Sequence, residues 1–156
     1  MAITDYIGRK IDILAYYTAE TGIGETKLEQ TMTPTGTGGV ITTGIQKLSQ
    51  RFTLELLTER GSMVYRPTRG CQFMREARLG YLRTPLDVMA SFSASLTDIK
   101  RNLQLEESES DSSDERFASA TVISVSLTGG NASVYVQVTS QAGSTRTVIA
   151  PLAVTI

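Results

Sequence analysis

Apolar positions in the middle of the chain recur at the spacing of a helix. Ile41, Ile45, Leu48, Phe52 and Leu56 fall four, three, four and four residues apart, which stacks them on one face at about 3.6 residues per turn. Leu54 and Leu57 widen that stripe. Thr43 with Gln46 three positions later fits a capping box, and Gly61 offers a left-handed stop, so the pattern predicts a helix over residues 44–60. A second stripe, Val88, Phe92, Leu96, Ile99 and Leu103, repeats at four, four, three and four. It opens on Thr84 as N-cap, Pro85 as first helical residue and Asp87 where the helix dipole favours negative charge, predicting a helix over residues 84–105. Between the two, residues 75–83 (REARLGYLR) read as a short helical turn packed by Leu79 and Leu82.

After residue 117 the period changes to two. Ile123, Val125 and Leu127 alternate with Val122, Ser124 and Ser126, Gly129-Gly130-Asn131 gives a hairpin turn, and Val134, Val136 and Val138 alternate with polar neighbours. A break at Ala142-Gly143-Ser144 leads into a third, terminal strand that carries Val148, Leu152 and Val154, with strands expected across residues 118–154. The last strand has nothing after it to cover its edge, and such an edge accepts a strand from another chain. Pro151 cannot donate a ladder hydrogen bond, so it marks either the side facing away from the neighbouring strand or the end of pairing.

The N-terminus is less decided. Ile3, Ile7, Ile11 and Leu14 fit a helix, while Ile11, Ile13, Ala15 and Tyr17 fit a strand. Residues 18–43 are rich in Gly and Thr and offer little to bury, which predicts an arm over residues 1–43 that is extended and ordered by partners. Residues 44–156 then form one α+β domain: two antiparallel amphipathic helices packed on a small C-terminal antiparallel β-meander.

Composition narrows the chemistry. The 156 residues suit one core, and the absence of histidine excludes a Ser-His-Asp triad, a His-ligated zinc and an imidazole base. Cys71 is alone, so no internal disulfide forms; it reads as a small core or turn residue, the alternative being a reactive thiol whose pKa the neighbouring arginines would lower. Glu55 and Glu59 are the obvious carboxylate pair, yet neighbours on one helix face point the same way instead of flanking a bond. They read as an exposed polar stripe, with Arg51 pairing to Glu55 at i, i+4. TGTGGV at 35–40 lacks the Lys-Ser/Thr sequel of a phosphate loop. No enzyme and no cofactor are expected. No stretch is long and apolar enough to span a membrane, and the start of the chain is too charged for a secretory signal, so synthesis in the cytoplasm is expected.

The net charge of −1 conceals a segregation, because residues 106–115 (EESESDSSDE) hold six of the sixteen acids and no base. That run reads as a solvated loop, or as a contact for a basic partner or for the arginines of residues 66–83. Arg66, Arg69, Arg75, Arg78 and Arg83 face only Glu76 within that segment. Arg66 and Arg69 are expected to project from the turn around Pro67 and Gly70 into a protein interface. A nucleic-acid-binding adaptor using residues 66–83 is the alternative, opposed by a pI of about 5.5 and by the lack of any reader motif.

Residues 48–73, LSQRFTLELLTERGSMVYRPTRGCQF, resemble the baseplate-wedge, or sheath-initiator, family of contractile phage tails and of type VI secretion baseplates, in which an amphipathic helix leads into an Arg-Pro-x-x-Gly turn. The order of following helix, polar break and β-rich C-terminus carries the resemblance over residues 41–154. It implies a structural protein with a fold nicknamed lysozyme-like, present in multiple copies in a sixfold baseplate of the virion. The implied partners are the sheath protein, other wedge subunits and tail tube or hub proteins. Family members bind neighbouring wedge subunits through a Glu-Pro-Arg triplet, whose place is taken here by Asp114, Glu115 and Arg116. The resemblance also implies that the final strands, through Val134, Val136, Val138, Val148, Leu152 and Val154, start the first sheath ring.

Overall fold

A computed structural model describes residues 10, 12–13, 16–17, 29–30 and 41–153. Among them are four two-residue strands, β1 (Asp12–Ile13), β2 (Tyr16–Tyr17), β3 (Glu29–Gln30) and β4 (Ile41–Thr42), then helices α1 (Gly44–Leu57), α2 (Phe73–Arg78) and α3 (Pro85–Glu106), and strands β5 (Phe117–Thr128), β6 (Asn131–Ser140) and β7 (Thr145–Ala153). The architecture is α+β. β1 pairs with β4 and β2 with β3, both antiparallel, so the strand alternation from residue 11 prevails over the helical one wherever the arm is described. The extended conformation expected for the rest of the arm, and Val154, lie outside the described residues.

α3 forms as its sequence dictates. Thr84 accepts from the Asp87 N–H at 3.2 Å, Asp87 accepts from the Thr84 N–H at 2.9 Å, and Pro85 opens the helix. α1 departs from expectation at both ends. Thr43 makes no side-chain cap; the Gly44 N–H is taken by Oε1 of Glu115 at 3.0 Å, a carboxylate brought to the helix N-terminus from 71 residues away. At the other end the helix stops at Leu57, because the Thr58 carbonyl accepts from the Cys71 N–H and the Arg60 N–H donates to the Cys71 carbonyl, both at 3.0 Å. That bridge pulls the chain out of the helix before Gly61, which serves the following turn instead.

Arg51 reaches the α3 carbonyl of Leu103, Glu55 meets Asn102, and Arg60 meets Asp98. Ascending numbers on α1 face descending numbers on α3, so the helices run antiparallel. α1 lies over β6 and β7 and α3 over β5, all on one face of the sheet. Leu48, Phe52 and Leu56 meet Val88, Phe92, Ile99 and Leu103 in a core completed by Phe73, Phe117 and the inward face of the sheet. Phe52 stacks on Phe117 at 5.9 Å between ring centres and also meets Phe92, whose edge contacts Phe73. Leu54 and Leu79, both expected to pack, are exposed; α2 buries Phe73 and Ala77 instead.

The sheet order is β5-β6-β7, antiparallel throughout. β5 and β6 are joined through Gly129 and Gly130, whose φ values of 57° and 80° suit the mirror-image turn of a two-residue hairpin. β5 departs from the expected alternation at Ile123. Val122 pairs with Val136 and Ser124 with Tyr135, leaving Ile123 as the extra residue of a bulge, 51% exposed. The bulge lets Val122 and Val125 both face the core, a pattern that simple alternation forbids.

Candidate interaction surface

The site-forming chemistry of this chain lies in its sheet edges and in the loop between α1 and α2. β7 pairs with β6 alone, and among the described residues no strand lies along its other edge. Which groups it offers there follows from register. Ser140 N–H donates to the Ser144 carbonyl at 2.9 Å, a hydrogen-bonded pair, and antiparallel pairs alternate between bonded and non-bonded. Arg146, Val148, Ala150 and Leu152 therefore bond inward to Val138, Val136, Val134 and Ala132. Thr145, Thr147 and Ile149 turn their N–H and C=O groups outward, and Pro151, next in that series, carries no N–H. Its partner is Ser133 and pairing continues to Ala153, so Pro151 marks the side facing away from β6.

This register corrects the placement of the expected interface valines. Val134, Val136 and Val138 belong to the central strand, with both edges paired and side chains fully buried against the helices. Val148 and Leu152 also point into the core. The outward backbone series, Thr145, Thr147 and Ile149, was hidden because it sits on polar or irregular positions while the apolar alternation drew attention to its neighbours. β5, the other edge strand, is broken by bulges at Ala118 and Ile123, which disrupt a continuous ladder there.

Glu55 is the most consequential buried polar group, only 1% exposed in the middle of α1. Its Oε2 accepts from the Gly70 N–H and from Asn102 Nδ2, each at 3.0 Å, and its Oε1 pairs with Arg69. Glu106, the last residue of α3, in turn pairs with Arg69, with Arg66 at 2.9 Å and with Arg51 at 3.5 Å. Asn102 also donates toward the carbonyls of Thr68 and Gly70. The exposed Glu55–Arg51 stripe is thus corrected: the carboxylate faces inward because the 66–70 turn and α3 bring it donors. Arg66 and Arg69, expected to project, fold back onto Glu106, so the acidic run meets the arginines at its first residue. Glu59 pairs with Arg78, whose guanidinium holds its carboxyl below the usual range. Cys71 is buried with its thiol pushed up in pKa by burial, the opposite of an activated thiolate.

The rest of the acidic loop folds onto the protein. Ser113 and Arg116 carbonyls accept from the Ala142 and Gln141 N–H groups at 3.0 and 2.8 Å, fixing residues 113–116 to the β6–β7 turn. Glu115, expected at an interface, is buried, capping α1 and pairing with Lys47 at 2.9 Å. Asp114 and Arg116 are half-buried on either side of it. Glu107 accepts from the Phe117 N–H at 2.7 Å, and burial raises its pKa. Asp111 pairs with Lys10, whose ammonium lowers its pKa. No described helix is long and apolar enough to cross a membrane. No protein-family model matches the chain, and comparison with curated proteins and with solved structures finds no similar one.

Proposed function

We propose that this chain is a non-enzymatic structural protein of a contractile tail baseplate, where it joins wedge and tube or hub proteins to the sheath and starts the first sheath ring by strand addition. The observation that carries this reading is the edge of β7 along which no described strand lies, with the N–H and C=O groups of Thr145, Thr147 and Ile149 turned away from β6 and a proline next in that series. Strand addition draws affinity from backbone hydrogen bonds and therefore makes few demands on side chains. A sheath strand seated there ends its pairing at Pro151, which limits the added ladder to the segment around Thr145–Ile149. The resemblance of residues 48–73 supplies the identity of the partners: sheath protein, wedge subunits and tube or hub proteins, repeated around a sixfold baseplate, assembled in the host cytoplasm and retained in the virion.

The nucleic-acid reading draws less support, since Arg66, Arg69 and Arg78 already hold carboxylates. Phosphate would have to displace Glu55, Glu59 and Glu106 to reach them. Cryo-electron microscopy of contractile particles from cells that make this protein tests the proposal. Density for the chain at the junction of baseplate and sheath is expected; particles complete without it would refute the assignment. Retention on DNA that falls steeply with salt would favour the alternative.

A further inference from the structure

The turn whose Arg66 and Arg69 bind Glu106 also carries an exposed apolar apex. Residues 62–69 make two successive turns, with the Arg66 N–H on the Met63 carbonyl at 3.2 Å and the Arg69 N–H on the Arg66 carbonyl at 3.0 Å. Their base is fixed by Arg69 on Glu55 and Glu106, by Arg66 on Glu106 and by Asn102 on the Thr68 and Gly70 carbonyls. At the apex stand Met63, Val64 and Tyr65, the last two 86% and 97% exposed. This apolar trio stands in water, away from the core, on a base tied down by ion pairs and backbone hydrogen bonds, so part of the cost of ordering the loop is met before any partner arrives. Tyr and Met are also among the residue types enriched at the centres of protein interfaces.

We infer that the Met63-Val64-Tyr65 apex is a docking anchor for a neighbouring protein that offers an apolar pocket with an acidic rim. The rim follows from charge. Five guanidinium groups around the base of the loop and the α3 surface beside it, Arg51, Arg60, Arg66, Arg69 and Arg101, share three carboxylates, Glu55, Asp98 and Glu106, which leaves an excess of two positive charges. Asp or Glu side chains around the receiving pocket complement that excess and gain paired geometry from Arg66, the most exposed of the arginines bonded to Glu106. Three apolar side chains fall short of the apolar face by which a helix lies in a membrane surface, and an excess of two charges falls short of the roughly four to eight basic residues of a lipid-binding cluster, so a protein pocket is the occupant that fits. The inference rests on the baseplate reading only for the neighbour's identity.

The test is a photo-reactive benzoylphenylalanine at position 65, cross-linked in cells that make the protein, with the linked peptide sequenced. The expected product joins position 65 to one apolar segment of a different protein bordered by Asp or Glu, whose reversal to Lys weakens binding at least tenfold and is recovered in part by Arg66→Glu. Tyr65→Ala should weaken the same complex at least tenfold without shifting thermal unfolding. Cross-links confined to lipid, to nucleic acid or to a second copy of the chain would overturn the inference, as would full binding by Tyr65→Ala. An acidic-rimmed pocket in a complex that is not a contractile tail would uphold the anchor while refuting the baseplate assignment; a chain built into tail particles with no protein linked at position 65 would do the reverse.

Discussion

Asn102 donates from Nδ2 to Oε2 of Glu55 at 3.0 Å, joining α3 to α1 through two polar side chains that are both buried. Glu55 also takes the Gly70 N–H and Arg69, so one carboxylate holds two helices and the intervening loop together. Removing it strands buried donors and a guanidinium. Glu55→Ala should lower unfolding free energy by about 3–5 kcal/mol, the scale for breaking a buried pair from one side. Arg66→Ala, which deletes an exposed pair, should cost less than about 1 kcal/mol. Urea unfolding followed by circular dichroism separates the two, and equal losses would contradict this account.

Gly70 and Gly61 both have positive φ, 79° and 88°, yet they differ in surroundings. A Cβ on Gly70 would lie 2.2 Å from the Thr58 carbonyl oxygen, which accepts from Cys71, whereas Gly61 has nothing within 4 Å. Gly61→Ala should therefore cost about 1 kcal/mol, the conformational term alone. Gly70→Ala should cost several times as much, because the bridge that ends α1 must open, and Gly70→Val should be worse again. A Gly70→Ala variant with a melting temperature near that of Gly61→Ala would show that the close approach does not constrain the fold.

Two carboxyl groups near the acidic loop should oppose each other as pH changes. Glu107 has its pKa raised, first by burial, so its contribution to stability is full below the ordinary carboxylate value and is lost as pH rises through the raised folded value. Asp111 has its pKa lowered, first by its bond from Lys10, so its contribution is present above the ordinary value and is lost as pH falls through the lowered one. Glu107→Gln keeps an oxygen for the Phe117 N–H and should gain stability relative to the parent as pH rises from about 4 to about 7, while Asp111→Asn should lose stability relative to the parent as pH rises from about 2 to about 4. Denaturant midpoints at the ends of each range check both signs. A Glu107→Gln difference that stays flat with pH would contradict the assigned burial.

What was legible in the sequence was local. The Thr84, Pro85 and Asp87 cap works within one turn, and the stripe from Val88 to Leu103 is buried as its spacing implied, because both signals act between near neighbours. The hairpin at Gly129 and Gly130 was equally self-contained. Glu55 misled because its donors at Gly70 and Asn102 lie 15 and 47 residues away, so a polar residue on a helix read as solvated. Glu115 capping α1 from 71 residues away was invisible for the same reason. Ile123 and the β7 edge depend on how strands register against one another, and a bulge or a bonding parity leaves no mark in composition.

Strand addition along β7 is best tested by a substitution that spares its inward pairing. Deleting the strand would not serve, since Val148, Ala150 and Leu152 fill the core under α1. Thr147→Pro removes a single outward N–H, whereas Val148→Pro removes one bonded to β6 and should unfold the sheet. Circular dichroism should find Thr147→Pro folded with a melting temperature close to that of Thr147→Ala. Electron microscopy of particles assembled with Thr147→Pro is then the direct measurement: complete baseplates bearing naked tubes are predicted, with normal sheaths on Thr147→Ala baseplates, and normal sheaths on Thr147→Pro baseplates would contradict the strand-addition account.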